Sequence, residues 1–239
     1  MINYAHRGFS SRYPENTILA FKEAIKIGAN GIELDVHKSK DNVLVVIHDE
    51  DIIRTFKGAG EVKDYTLKEL KEFKCRKKGF EDNDECVIPT LEEVLKLLVD
   101  NEIKLNIELK TDVIHYENIE KDTIDLVNRY KMSHRVVLSS FNYESLKICK
   151  KIDSRFKTAA LYDRRRKDIV SYAKSIKVDA INPRLDLASK KLIKEAHKEG
   201  LKINVFTINN KWFMKRLIKM GVDGIFTDKP DILKKIITS

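Results

Sequence analysis

Glu33 and Asp35 stand two residues apart in Gly31–Val36, a segment whose other positions are apolar or glycine. At the two-residue period of a strand both acids share one face, while Ile32, Leu34 and Val36 share the other. Paired acids in an apolar strand carry a desolvation cost unless a cation offsets it, so a ligand-facing strand is the better reading than incidental charge. The turn cluster Lys40-Asp41-Asn42 follows, and then Val43–Ile47, almost wholly apolar, ends in His48-Asp49. A hairpin closing near residue 41 is expected to set Asp35 opposite His48, with side-chain stems about 5 Å apart. Glu108, in Leu105–Leu109, supplies a third carboxylate. Three converging acids make an oxygen-rich site that suits Mg²⁺ or Ca²⁺, whereas zinc more often recruits Cys or several His. Lys110 offers Glu108 an ordinary salt bridge, but one lysine does not neutralise three acids.

His6 and His48 both follow strand-like runs. Histidine ordinarily titrates near neutrality, so such a pair can serve as general acid and general base. Arg7 and Lys110 supply fixed positive charge suited to a phosphate. A metal, two imidazoles and two cations around one cavity describe phosphoryl-ester chemistry. His37 shares the face of Glu33 and Asp35 and is expected to line the same cavity. His115, His134 and His197 fall on helices or loops and read as surface residues.

These groups need a scaffold that gathers them. A first strand, 2–5, delivers His6-Arg7-Gly8, and Asn16 or Thr17 can cap the helix that runs to Gly28. From 50 to 87 the pattern weakens: Gly58-Ala59-Gly60, a short helix at 67–74 and an acidic run at 81–85 suggest a small inserted subdomain. Thr90 starts a clean amphipathic helix. Strands at 105–109, 136–141, 158–162, 180–183, 202–208 and 224–228 then alternate with helices at about 117–131, 143–151, 167–176, 188–199 and 211–220, and a short helix closes the chain. The expected fold is therefore α/β: a TIM (β/α)8 barrel forming a single domain over 1–239, with a small insertion after the second strand and its hairpin. An open doubly wound sheet would carry a Gly-rich phosphate turn after its first strand, and only one Gly stands there. A barrel gathers function at the C-terminal ends of its strands. The candidates fall there: His6, Arg7, Glu33, Asp35, Glu108 and Lys110, then Ser139, Ser140, Phe141, Tyr162, Asn182, Phe206, Thr207 and Asp228.

The chain has 239 residues and a net charge of +9, from 46 Lys and Arg against 37 Asp and Glu. The lysines are spread over many helical faces, whereas a nucleic-acid binder needs a stripe with aromatics to stack bases, so no nucleic-acid partner is expected. Arg164–Lys167 is the densest basic run and reads as a loop near an anionic substrate. No secretory signal is visible, and no apolar run approaches the roughly 20 residues of a membrane helix, so membrane insertion is not expected. Cys75, Cys86 and Cys149 form no metal spacing. A Cys75–Cys86 disulfide is open, but a reduced cytoplasmic protein is the simpler account. A homodimer is neither required nor excluded.

His6-Arg7-Gly8 with Pro14-Glu15-Asn16-Thr17, Glu33-x-Asp35 and His48-Asp49 closely resemble the glycerophosphodiester phosphodiesterases. So do Arg54-Thr55, Ile88-Pro89-Thr90-Leu91, Glu108-Leu109-Lys110 and Phe226-Thr227-Asp228-Lys229-Pro230, a similarity running from residue 3 to about 231. The resemblance implies a barrel acting on deacylated phospholipids to release glycerol 3-phosphate and an alcohol. It implies Ca²⁺ or Mg²⁺ on Glu33, Asp35 and Glu108, with His6 and His48 as the acid/base pair. Arg7 and Lys110 would bind the phosphate, with Phe141, Asn182 and Phe206 on the substrate side. Whether the neighbouring glycerol hydroxyl attacks first, giving a cyclic phosphate, stays open. The family often carries Trp where Phe206 stands and an uncharged polar residue where His37 stands, departures that bear on the preferred alcohol and not on the reaction. The alternatives are a lysophospholipase D-like enzyme, which needs an apolar entrance, and a non-catalytic phosphodiester-binding barrel, which would lack a His or a metal carboxylate.

Overall fold

In the computed structural model, which describes residues 1–238, the chain forms nine strands and nine α-helices, alternating except where β3 follows β2 and α3 follows α2. The strands are β1 (Ile2–His6), β2 (Gly31–Lys38), β3 (Leu44–Val46), β4 (Lys104–Leu109) and β5 (Val136–Ser140), followed by β6 (Lys157–Tyr162), β7 (Ala180–Pro183), β8 (Lys202–Val205) and β9 (Gly224–Thr227). The helices are α1 (Ile18–Lys26), α2 (Leu67–Glu72), α3 (Leu91–Leu98), α4 (Ile119–Arg129) and α5 (Tyr143–Ile152), followed by α6 (Ile169–Ser175), α7 (Lys190–Lys198), α8 (Lys211–Met220) and α9 (Pro230–Thr238). Eight strands pair in parallel in the order β1-β9-β8-β7-β6-β5-β4-β2, and β1 also pairs with β2, which closes the barrel. The strand β3 pairs antiparallel with β2 and makes a single antiparallel bridge to Thr90 through Val45. A helix follows every parallel strand, with α2 added in the segment after β3.

Period-two alternation decides what faces inward. Register sets His6 beside Glu33, Glu33 beside Asn106 and Asp35 beside Glu108, so these groups share the inner surface. Ile32, Leu34, Val36, Leu105, Ile107 and Leu109 face outward into a buried cluster with residues of α1, α3 and α4. Each such side chain contributes about 1.5–3 kcal/mol on burial. Below the acids, Tyr4 and Phe226 stack with ring centroids 4.6 Å apart. Gly31 makes room for them, since a Cβ there would lie 2.6 Å from the Tyr4 ring.

Four local expectations are corrected or narrowed. The hairpin pairs Val36 with Val46, so Asp35 meets Ile47 and not His48; Ile47 N donates to Asp35 O at 3.1 Å. The reason is the turn: Ser39 Oγ caps the Val43 amide and Asn42 takes a left-handed conformation (φ 62°), which slips the register by one residue. The cap of α1 is Thr17, whose Oγ1 accepts from Ala20 N, while Asn16 sits at φ 55° and reaches inward. The strand expected over 202–208 stops at Val205, because Phe206 turns to bridge Arg184 beyond the end of β7. His37 does not line the cavity. Its Nδ1 meets the Tyr116 hydroxyl at 2.9 Å and its Nε2 meets the His48 carbonyl at 3.0 Å, because β2 extends past the barrel to pair with β3 and is covered there.

Between β3 and α3, Ile47, Ile52, Phe56, Val62, Leu70, Cys75, Cys86 and Ile88 form a separate apolar cluster, against which Phe73 and Phe80 pack. All three cysteines are free, buried thiols. No helix among the described residues is long and apolar enough to cross a membrane.

Candidate active site

The inner faces of β2 and β4 bring one oxygen each of Glu33, Asp35 and Glu108 within 4.8 Å of one another. All three side chains are buried, Asp35 completely. Burial raises the Glu33 pKa well above its ordinary value, and repulsion from Asp35 and Glu108 adds to it. Burial and repulsion from Asp35 raise Glu108 as well, though Lys110 opposes the shift through a salt bridge of 3.0 Å. Burial also works against the Asp35 charge, but Arg7, His48 and Lys110 outweigh it and hold its pKa below the ordinary value. Asn16 Nδ2 donates to Asp35 Oδ2 at 2.9 Å, while Asp35 Oδ1 is buried with no partner. Three crowded oxygen donors, two of them pushed toward protonation and one with an orphaned oxygen, fit a hard divalent cation such as Mg²⁺ or Ca²⁺.

Each histidine is held by its own aspartate. His6 Nδ1 lies 2.7 Å from Asp228 Oδ1, and its Nε2 lies 4.0 Å from Glu33 Oε2. Burial alone would raise Asp228, but His6, Asn209 and Ser10 hydrogen-bond it and hold its pKa at about 2. Asn209 Nδ2 donates to the second oxygen, Oδ2, at 2.5 Å. On the other histidine, His48 Nδ1 lies 2.5 Å from Asp49 Oδ1. Arg54 then spans two acids: Nε reaches Asp49 Oδ2 at 2.5 Å, and Nη1 and Nη2 reach the two Glu15 oxygens at 2.7 and 2.8 Å. Glu15 Oε1 also accepts from Arg7 Nη1 at 2.9 Å, and Arg7 Nε lies 3.4 Å from Asp35. An unbroken chain of charge pairs thus runs from His48 to the carboxylate cluster.

Arg7 sits at φ 56°, which turns its amide to donate to both Glu33 O and Glu33 Oε2 at 3.0 Å. Desolvation works against the charge of buried Lys110, but Glu108 and Asp35 sustain it, so its pKa rises. Phe141 and Phe206 are half-buried and meet edge to face, centroids 6.0 Å apart. Asn182 is fully buried inside the barrel, where its Oδ1 accepts from Asn204 at 3.0 Å and its Nδ2 has no partner. Arg164–Lys167 forms an exposed loop after β6, with Arg166 over the Tyr172 ring at 3.8 Å and bonded to Asp168. His115, His134 and His197 are exposed, away from this group. The structure thus groups His6, Arg7, Glu33, Asp35, Glu108 and Lys110 with His48. Asp228, expected at the barrel mouth, joins them as the partner of His6, and Asn16, expected as a possible cap, reaches Asp35 instead. The structure also adds Glu15, Asp49 and Arg54, to which residue type and spacing assign no job. Their only sequence signal is position inside the motifs.

Residues 6–232 match the Glycerophosphoryl diester phosphodiesterase family. A glycerophosphodiester phosphodiesterase of Caldanaerobacter subterraneus is 41% identical over 98% of this chain and 96% of its own. One of Bacillus altitudinis is 38% identical, with shares of 98% and 96%. An Oleispira antarctica phosphodiesterase, solved in complex with the product sn-glycerol-3-phosphate, is 27% identical at a TM-score of 0.87, covering 99% of this chain and 96% of that one. Fold, site and relatives together define an enzyme that hydrolyses phosphoric diesters. The chain belongs to the glycerophosphoryl diester phosphodiesterase family.

Proposed function

We propose that this chain hydrolyses glycerophosphodiesters to sn-glycerol 3-phosphate and an alcohol, with a divalent cation and two catalytic histidines. The observation that supports it is the pairing of two carboxylate-anchored imidazoles with three clustered buried acids at one barrel mouth. Glu33, Asp35 and Glu108 would hold Mg²⁺ or Ca²⁺, which when bound orients a phosphate and stabilises developing charge. Arg7 and Lys110 bring fixed positive charge to the phosphate oxygens. In His6 and His48 the aspartate occupies Nδ1, which fixes ring and tautomer and leaves Nε2 to move the proton. One histidine takes the proton of the attacking oxygen and the other gives a proton to the leaving alcohol oxygen. Phe141 and Phe206 would line the substrate side, whereas Asn182, fully buried and bonded to Asn204, does not reach it. Phe56, Phe73 and Phe80 are committed to the packing of the insertion, so they open no apolar channel that would favour a lysophospholipid.

The test is release of glycerol 3-phosphate from glycerophosphocholine, glycerophosphoethanolamine and glycerophosphoglycerol, with Mg²⁺ or Ca²⁺ and again with chelator. Metal-dependent release is expected. No release from folded protein with either metal overturns the reading and turns attention to lysophospholipids or a binding role.

A further inference from the structure

The helix α8 carries four cations, Lys211, Lys215, Arg216 and Lys219, and no acid. Lys211, Lys215 and Lys219 recur at four-residue spacing on one exposed face, so like charges stand side by side with nothing on the helix to relieve them. Lys211 also lies in the first turn, where the helix dipole disfavours a cation. Beside this face lies a groove of about 740 Å³, lined by Trp212, Lys215, Arg216, Lys219 and Met220 and by Lys190 of α7, with no carboxylate in its wall. None of these five cations forms an ion pair among the described residues. Trp212 is 60% exposed, and the Arg216 guanidinium sits 5.3 Å over its ring. Like-charge neighbours on an exposed helix cost only a little stability per pair, and an anionic surface over this face turns that repulsion into attraction.

We propose that this face docks the protein, peripherally and reversibly, on an anionic phospholipid surface. Charge complementarity points to the occupant: unpaired lysines and an arginine meet anionic headgroups, while an exposed tryptophan inserts its apolar body at the headgroup level and keeps its N–H wet. A bilayer suits this face better than a polynucleotide, because a single exposed ring offers no stacking series. The position adds a consequence. Asn209, which bonds Asp228 beside His6, lies just ahead of Trp212, so the docking face begins at the rim of the barrel mouth. Docking goes beyond the hydrolytic reading and stands without it.

Trp212 is the only tryptophan in the chain, so its emission reports on this face directly. Phosphatidylglycerol vesicles at low salt are expected to shift the emission of the full chain to the blue and to shield it from acrylamide. Phosphatidylcholine vesicles should leave it unchanged, and salt of about 0.5 M should reverse the effect. A K215E/R216E variant, altered only at exposed positions, is expected to lose co-sedimentation with the anionic vesicles by at least about tenfold while melting at the wild-type temperature. No shift with anionic vesicles, equal binding to phosphatidylcholine, or full binding by a folded K215E/R216E variant each overturns the proposal. A single-stranded RNA that binds this face more tightly than the vesicles also overturns it and assigns the face to nucleic acid.

Discussion

Asp228 and Asp49 occupy the Nδ1 side of His6 and His48, at 2.7 and 2.5 Å, and under the proposed function the two Nε2 atoms are the ones that would meet a substrate. If these rings move the proton as proposed, losing one removes proton transfer, worth typically 10²–10⁴-fold. Under the proposed mechanism His6→Ala and His48→Ala are each expected to lower kcat by about that factor while the fold survives. Near-normal turnover in either variant removes that histidine from the mechanism. Glu108→Gln keeps the shape of the side chain and removes a charge from the carboxylate cluster. It should shift the activating metal concentration upward, and an unchanged titration would show that Glu108 is no ligand. At this scale much was legible. Residue type and strand period anticipated that Glu33, Asp35 and Glu108 would gather near His6 and His48, because inward acids in an apolar strand are costly unless a cation offsets them. Glu15 and Arg54 were not legible as a bridge, since nothing local says that two charged loop residues will meet.

The loops after β1 and β3 are joined by Arg54, which holds Glu15 with its two terminal nitrogens and Asp49 through Nε. Under the proposed function it touches no reacting atom and would act by positioning His48 through Asp49. Arg54→Ala is expected to lower kcat by up to about 10²-fold, to affect KM less, and to displace the pH profile of the residual activity. Arg54→Lys should recover little, because an ammonium cannot hold two carboxylates in a fork. An unchanged kcat and pH profile in Arg54→Ala would leave Arg54 a surface ion pair. The helix α3 is a simpler case: Thr90 Oγ1 accepts from Glu93 N while Glu93 bonds the Thr90 amide, a complete capping box. Thr90→Ala should cost about 1 kcal/mol in urea unfolding. Loss of less than a few tenths would show the cap to be redundant. Helix starts of this kind were readable from Thr90 alone, whereas Asn16 and Thr17 competed for one cap and only the backbone at φ 55° separated them.

At the scale of the molecule, the first and last strands of the chain meet where β9 pairs with β1, and Asp228 just after β9 ties His6 to that seam. Its folded pKa of about 2 lies below the ordinary 3.8, so the charged form stabilises the fold. The sign follows from linkage: this contribution is fully present above about pH 4 and is lost as pH falls through about 2. Burial opposes the charges of Asp179 and Asp223 too, yet lysine and backbone partners hold both pKa values low, so they act in the same direction. Acid unfolding followed by circular dichroism should therefore show stability falling steeply between about pH 4 and 2, and Asp228→Asn should flatten part of that slope. Equal slopes in the two proteins would show that Asp228 contributes nothing to closure.

The alternation of eight strand-like and eight helical segments was enough to specify a closed parallel barrel, because each strand carried one face for the core and each helix one stripe to cover it. The sequence alone also determined that Glu33 and Asp35 share a face, since period two allows nothing else. It could not determine the hairpin register, where a side-chain bond from Ser39 and a left-handed Asn42 moved Asp35 from His48 to Ile47. Nor could it pair His6 with Asp228 or Glu15 with Arg54, separated by 222 and 39 residues. Contacts at such distances follow no local period. They exist because closing the barrel brings the ends of β1 and β9, and the loops after β1 and β3, to one rim, and only the folded chain contains that proximity.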